Sequence, residues 1–294
     1  MGSLKDIRKR VASVKNTRQI TRAMKMVDAA KLRRAQEAIL QARPYAYRVY
    51  AMVLSLVARG ETKHPLLVKR PERKVKVVVL AGERGLCGGF NTNILREATR
   101  FMAKCDAEGK QVVVDVIGRK ANEFLKKRRT ISAVHEGVLG KPSYTHVAGI
   151  ANRILKDYAS GEFDAVYLVY NEFKSAIQQK PTVERMIPVS TAVPDGVAGM
   201  LRQSHEETPR EAIYEPSREA ILEALLPRHF QAQLFRAVLE SKASEHGARM
   251  SAMDSATKNA SEMIERLTLE YNKARQASIT KELMEIVGGV EAMR

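Results

Sequence analysis

Several residue types are scarce in this sequence, and their scarcity narrows the classes of protein that fit it. Tryptophan is absent, aromatic residues make up 5% of the chain, and there are two cysteines, Cys87 and Cys105. The cysteines do not form a CxxC pair and the six histidines are scattered. We therefore expect no metal centre and no bound cofactor. So few cysteines also indicate a reducing compartment.

Long apolar runs are missing as well. No stretch approaches the roughly 18–20 apolar residues that a helix needs to cross a bilayer. The first ten residues, MGSLKDIRKR, lack the apolar segment of a secretory signal. We therefore expect neither a membrane-spanning helix nor a secretory leader.

Proline and glycine are nearly absent towards the C-terminus. Between Arg228 and Val287 there is no proline and a single glycine, Gly247. One continuous helix there would be roughly 90 Å long, at about 1.5 Å per residue. Such a helix must lie against another long helix or project into a partner. We expect Gly288 and Gly289 to end it, because glycine is favoured just past helix ends.

Small and apolar residues in this segment follow the spacing of a coiled-coil seam. Steps of three and four alternate along Met253, Ala256, Ala260, Met263 and Leu267. A second step of four then leads to Tyr271, and this stutter changes the local winding. The pattern alone fits equally well a helical hairpin buried inside its own domain.

A second long helix is predicted at the N-terminus, over Leu4–Tyr50. Its apolar stripe begins at Ile7 and Val11, and it could pair antiparallel with the C-terminal helix. Residues 1–48 contain 13 Lys and Arg but only 3 Asp and Glu, within a chain of net charge +17. This basic arm indicates either an acidic protein surface or nucleic acid as partner. A basic coiled-coil protein that binds nucleic acid is therefore one hypothesis.

Between the two helices, valine-rich runs alternate with amphipathic segments, which predicts a parallel sheet covered by helices. The fold class is α/β, with a Rossmann-like domain at residues 61–216 between coiled-coil helices at 1–60 and 217–294. The predicted strands are Val75–Leu80, Val112–Ile117, Ala165–Tyr170 and, at an edge, Thr182–Pro188. The predicted helices are Asn93–Ala107, Lys120–Arg129 and Ser143–Ser160, with Ser143 and Ser217 as caps.

The segment AGERGLCGGFN, at 81–91, follows the first predicted strand, where a phosphate-binding loop would lie. Its glycines do not match GxGxxG and no Walker lysine follows. A tight strand-to-helix turn built on Arg84, Gly85, Cys87 and Gly88 is the favoured interpretation. A small-molecule α/β enzyme is the alternative, although no acid, base and nucleophile come together in the sequence.

Two terminal segments and this turn resemble one known family. The segments TRQITRAMKMVDAAKLRRAQ at 17–36 and ARMSAMDSATKNASEMIERLTLEYNKARQASITKELMEIVGG at 248–289 are similar to the gamma subunit of F-type ATP synthases, as is RGLCGGFN at 84–91. The resemblance covers essentially the whole chain. A cysteine-pair insertion of the chloroplast type has no counterpart between Pro188 and Pro216, which indicates the bacterial type.

The resemblance implies a central rotor shaft without a catalytic site of its own. Its two terminal helices would form an antiparallel coiled coil inside a hexamer of alpha and beta subunits, with one copy per complex. The α/β domain would bind the epsilon subunit and the membrane ring of c subunits, and nucleic acid would not be a partner. The location implied is the cytoplasmic side of the bacterial inner membrane, as a peripheral subunit.

The family's contact residues carry over by motif match to three positions, and three basic residues are added as expected contacts. Arg275 and Gln276 in KARQAS match the positions that hydrogen-bond a beta-subunit loop. Met24 in RAMKM matches the position that faces an acidic beta segment. Arg8, Lys9 and Lys25 are expected to contribute electrostatic contacts to beta, where the plain alternative is a solvated surface charge.

Overall fold

The computed structural model describes residues 4–58, 64–189, 215 and 217–291. A long helix, α1 (Leu4–Ala58), comes first, and a longer one, α5 (Arg218–Glu291), comes last. Between them in sequence are β1 (Lys74–Leu80), α2 (Phe90–Ala107), β2 (Gln111–Ile117), α3 (Arg119–Leu125), β3 (Ile131–His135), α4 (Tyr144–Ala159), β4 (Ala165–Phe173) and β5 (Gln179–Ile187). The chain divides into two compact units: residues up to Asp28 together with those from Arg249, and Ala29–Ala248.

The five strands form one sheet in the order β3–β2–β1–β4–β5. Strand β1 pairs in parallel with β2 and β4, and β2 pairs in parallel with β3. Strand β5 runs antiparallel to β4 at the edge. Six of the seven residues of β1 are buried, which explains its run of valines, since a central parallel strand is covered on both faces. The predicted α/β fold with a mostly parallel sheet is confirmed.

Alternate residues of β1 enter two different cores, because successive side chains of a strand point to opposite faces. Val77 and Val79 pack with the buried face of α2. Val78 and Leu80 belong to the larger core, which α4 shares with the later part of α1 and the first part of α5. The long helices therefore supply part of the hydrophobic core of the Ala29–Ala248 unit.

In the sheet region, one strand was missed and one predicted helix proved too long. Strand β3 was not predicted, because its burial alternates only between half-buried and exposed and it follows a basic run. The helix expected over Lys120–Arg129 ends at Leu125, where the N–H groups of Arg128 and Arg129 bond to the carbonyl of Leu125 in a turn.

The helix ends also differ from expectation in part. Ser217 caps α5 as predicted, since its hydroxyl accepts a hydrogen bond from the N–H of Ala220 at 3.2 Å. Ser143 precedes α4 but makes no side-chain cap bond. Gly288 and Gly289 do not end α5, which continues to Glu291. Glycine lowers helix propensity by only about 1 kcal/mol, so the helix can pass through it.

The connecting segment expected at 191–216 falls almost entirely outside the described residues. Within the described ranges, no helix is long and apolar enough to span a membrane.

Candidate functional site: the paired terminal helices

The helices of the unit that ends at Asp28 and resumes at Arg249 run antiparallel. The hydroxyls of Thr21 and Thr257 lie 2.8 Å apart, and the Lys25 ammonium lies 2.6 Å from the Asp254 carboxylate. One turn further along α1, Asp28 lies 3.5 Å from the guanidinium of Arg249. Partners on α5 move backwards as α1 moves forwards, so the predicted antiparallel coiled coil is confirmed.

These three contacts lie in the seam between the helices, where apolar residues are usual. Thr21, Asp28 and Arg249 are at most 8% exposed, whereas the Lys25 side chain keeps 44% of its surface in water. Hydrogen bonds from Lys25 and then from Lys258 hold the pKa of the Asp254 carboxyl below its usual range. We call these contacts the three polar layers: Thr21–Thr257, Lys25–Asp254 and Asp28–Arg249.

Most of the predicted seam residues face the partner helix side. Met253 and Ala260 are buried, and Ala256 and Leu267 are partly buried. Met263 differs, because it is 52% exposed while the neighbouring Ile264 is 9% exposed. The partly buried Ala256 and the buried Ala260 and Ile264 are separated by two steps of four, so the stutter comes earlier than the sequence pattern placed it.

The residues expected to contact beta lie on the outer surface of the helix pair. Arg8, Lys9, Arg275 and Gln276 are exposed, and Met24 is partly exposed. Lys25 differs from the others, because its charge is engaged with Asp254 on the opposite helix. The structure thus does not bring these six residues into one cluster within the chain. They occupy surface positions on two helices.

The turn between β1 and α2 contains the other predicted residues. Arg84, Gly85 and Gly88 are exposed, whereas Cys87 is 2% exposed and packs with Phe90 and Ala248. The backbone is left-handed at two positions on either side of Cys87: Leu86 has a φ of 62° and Gly88 a φ of 54°. The turn therefore presents its charged and glycine positions outwards and anchors itself through Cys87.

Two side chains that sequence reasoning did not single out hold this turn. The Asn91 side chain accepts a bond from the N–H of Gly82 at 2.8 Å and donates to the carbonyl of Arg84 at 3.2 Å. The Glu83 carboxylate accepts bonds from the N–H groups of Arg119 and Gly137. These bonds connect the turn to the loops after β2 and β3. In the sequence, the only indication of these two roles was that Glu83 and Asn91 are polar residues at the two ends of the glycine-rich turn.

A buried charge network under the sheet was also missed. Lys76 of β1 and Asp115 of β2 are at most 1% exposed, and their charged atoms lie 3.3 Å apart. Arg153 on α4 donates to Asp115 at 2.6 Å, and Asp157 lies 3.6 Å from Lys76. Burial, and then the charge of Arg153, lower the pKa of nearby His135. The sequence did contain an indication of this network, because Lys76 and Asp115 are single charged residues within runs of valine.

A second polar group joins α1 to α5 within the Ala29–Ala248 unit. The His229 ring stacks on Tyr50 with centroids 5.0 Å apart. Burial lowers the pKa of His229 to about 4, and the charge of Arg236 adds to the shift. Arg236 bonds to Glu184 at 2.8 Å and to Glu240 at 3.1 Å. This group fixes helix packing and shows no arrangement for acid–base catalysis.

In the described ranges, no three His, Cys, Asp or Glu side chains are placed to hold a metal ion.

Comparisons with known proteins agree with this geometry. A family model described as ATP synthase matches residues 3–293. The ATP synthase gamma chain of Geobacter metallireducens is 50% identical over 296 residues, and that of Anaeromyxobacter sp. (strain Fw109-5) is 51% identical over 299; each alignment covers 100% of both chains.

Solved structures show the same fold. A chain of the Euglena gracilis mitochondrial ATP synthase, in a structure described as OSCP/F1/c-ring, superposes with a TM-score of 0.69 at 23% identity, covering 99% of this chain and 94% of that one. A chain from the central stalk and c-ring of the Tetrahymena thermophila enzyme gives a TM-score of 0.61 at 23% identity, covering 81% and 99%. The full-length match to bacterial relatives at about half identity shows that this chain belongs to the ATP synthase gamma chain family.

Proposed function

We propose that this chain is the central rotor shaft of a proton-translocating F-type ATP synthase. It couples the rotation of a membrane ring to ATP synthesis and hydrolysis at sites on the beta subunits, and it has no catalytic site of its own. The observation that carries this proposal is the antiparallel pairing of α1 with α5, in a chain about 50% identical to gamma chains over its full length.

The paired helices have the physical properties that a shaft needs. A single helix twists and bends readily, whereas two helices in contact along a seam resist both, because bending one must also deform the other. The exposed outer face mixes charged residues with large apolar side chains, among them Leu269, Leu283 and Ile286 on α5. The charged positions offer electrostatic contacts to a surrounding sleeve of subunits, and the apolar positions offer packing contacts.

Contacts with beta would come mainly from five of the six candidate residues on the two helices. Arg8 and Lys9 place exposed positive charge near the start of α1, and attraction over several ångströms does not require one fixed geometry. Arg275 and Gln276 lie on an exposed turn of α5, where their side chains can donate hydrogen bonds to a beta loop. Met24 supplies an apolar contact, while Lys25 acts mainly within the helix pair.

The remaining partners follow from the same proposal. One copy of the chain joins the alpha and beta subunits of the hexamer, the epsilon subunit and the c-subunit ring. It belongs at the cytoplasmic side of the cell membrane as a peripheral subunit. In the turn, the exposed residues Arg84, Gly85 and Gly88 would offer a protein-contact surface rather than a nucleotide site, and the buried Cys87 anchors it.

Reconstitution tests the proposal directly. The alpha, beta, epsilon and membrane subunits would be assembled in vesicles with and without this chain. We expect ATP-driven proton pumping only when the chain is present. Equal pumping in its absence would overturn the proposal.

A further inference from the structure

The seam between α1 and α5 changes character along its length. Towards the start of α1 it is apolar, with Ile7 7% exposed on α1 and Ile264 9% exposed on α5. At the three polar layers, by contrast, a threonine pair and two ion pairs take the place of apolar contacts. Two of the six residues, Asp28 and Arg249, carry charge at 5% and 7% exposure.

The apolar part of the seam defines the axial position of the helices weakly. Alanine makes no deep knob, and methionine adapts its shape to different surroundings. If one helix slid past the other by a turn or a heptad, apolar residues would still meet apolar residues. Buried polar residues behave differently, because they are satisfied only when their partners lie opposite, and polar seam residues are known to specify register.

A heptad slip shows the difference. It would move Asp28 from Arg249 to a position opposite Ala256, and Thr21 from Thr257 to the region of Ile264. The buried carboxylate of Asp28 would then face a methyl group, whereas the Thr21 hydroxyl would keep only its bond to the carbonyl of Arg18 at 3.1 Å on its own helix. The two ion pairs and the bond between the threonine hydroxyls therefore form together in one register only, the one in which paired residue numbers sum to 277–279.

We propose that the three polar layers form a register clamp, which fixes the axial position of α1 against α5 while the shaft carries torque. The six residues are positioning residues. They set the axial positions of Met24 on α1 and Arg275 on α5 relative to each other, and thereby the level at which each side chain would meet the beta subunits. A slip of one helical turn would displace one contact relative to the other by about 5.4 Å, far beyond the tolerance of a hydrogen bond. This inference rests on the proposed shaft function.

Disulfide trapping in the assembled, reconstituted synthase reports the register. The residue numbers of the pair Val14→Cys and Ile264→Cys add up to 278, as those of Thr21 and Thr257 do. The two cysteines should therefore lie opposite each other in the native register. Val14→Cys with Thr268→Cys lies one turn away and is the matched control. The ratio of the two disulfide yields is measured together with the number of protons pumped per ATP hydrolysed. The native Cys87 and Cys105 are both buried and remain in place.

Charge exchange provides the perturbation. Lys25→Asp alone places two carboxylates opposite each other, and we expect the native-register ratio to fall roughly threefold, the scale of a partly exposed ion pair. Protons pumped per ATP should fall with it. Lys25→Asp combined with Asp254→Lys should restore both values. Lys258→Gln is the control, because it removes only the bond to Asp254 within α5. Thr21→Val with Thr257→Val should shift the ratio in the same direction.

The outcomes separate a register clamp from a merely stabilising contact. Unchanged disulfide ratios in both Lys25→Asp and the double valine variant would overturn the clamp, even if thermal stability fell. Failure of the charge exchange to restore the ratio would also overturn it. Loss of the shaft function itself is recognised separately, because the unsubstituted chain would then fail to support pumping.

Discussion

Replacement of Asp115 by Asn tests how the buried charge network holds the sheet. Asp115 is fully buried, and its carboxylate oxygen Oδ2 lies 3.3 Å from the ammonium of Lys76 and 2.6 Å from the guanidinium of Arg153. The change removes the negative charge but keeps the shape of the side chain. Lys76, at 1% exposure, would then keep only Asp157 as a nearby anion, 3.6 Å away.

The expected magnitude follows from this geometry. Removing one partner of a buried ion pair costs about 3–5 kcal/mol. Asn still forms hydrogen bonds and Asp157 still offsets part of the Lys76 charge, so we expect the lower end, about 3 kcal/mol of unfolding free energy. With a urea dependence of roughly 2–3 kcal/mol per molar, the unfolding midpoint should fall by about 1 M.

Urea unfolding followed by tyrosine fluorescence measures this shift, because the chain lacks tryptophan and Tyr158 lies in the adjoining core. Asp157→Asn is the control: its side chain is 23% exposed and leaves Asp115 in place, so it should cost about 1 kcal/mol or less. Replacing both Lys76 and Asp115 by Met and Leu should recover most of the loss. A midpoint shift below about 0.3 M for Asp115→Asn would refute the assigned role.

Three further predictions concern other parts of the chain. Gly118→Ala should cost about 3 kcal/mol or more, because its Cβ would lie 1.9 Å from the carbonyl oxygen of Ala81 at a φ of 99°; a thermal melt within 2–3 °C of the parent, the scale of under about 1 kcal/mol, would contradict this. His229 has a folded-state pKa of about 4, below its unfolded value near 6.5, so the unfolded state binds its proton first. Stability is therefore full above about pH 6.5 and should fall by up to about 3 kcal/mol as the pH drops to 4, a loss that is absent in His229→Phe if the assignment holds. Arg275→Ala should lower the rate of coupled ATP synthesis in reconstituted vesicles while the complex still assembles; unchanged synthesis would exclude a contact role for the exposed Arg275.

Residue patterns predicted much of the fold because the information was local. The valine run of β1 is buried on both faces and that of β2 is buried from Val114 onwards, and such runs identify central parallel strands without reference to neighbours. Most of α5 was evident from the absence of proline between Arg228 and Val287, although the helix also passes through Pro227 near its start. Strand β3 was missed because its five residues form a strand through pairing with β2, which no local pattern records.

The seam shows where local information ends. Met263 and Ile264 are adjacent and both apolar, and only contact with α1 decides which of them is buried. On α1, the apolar Ile20 is 60% exposed, whereas the polar Thr21 beside it is buried. Threonine is favoured there because Thr257 offers a partner on a segment more than 200 residues away. Polar seam residues become predictable only once the partner helix and its register are known.

Rotation of this chain inside the assembled complex tests the central claim most directly. A bead attached through Ile177→Cys, at a position 83% exposed, would be followed in complexes immobilised through the beta subunits. A rotor shaft predicts continuous rotation in one direction that depends on ATP. A bead that stays fixed while the complex hydrolyses ATP and pumps protons would contradict the account.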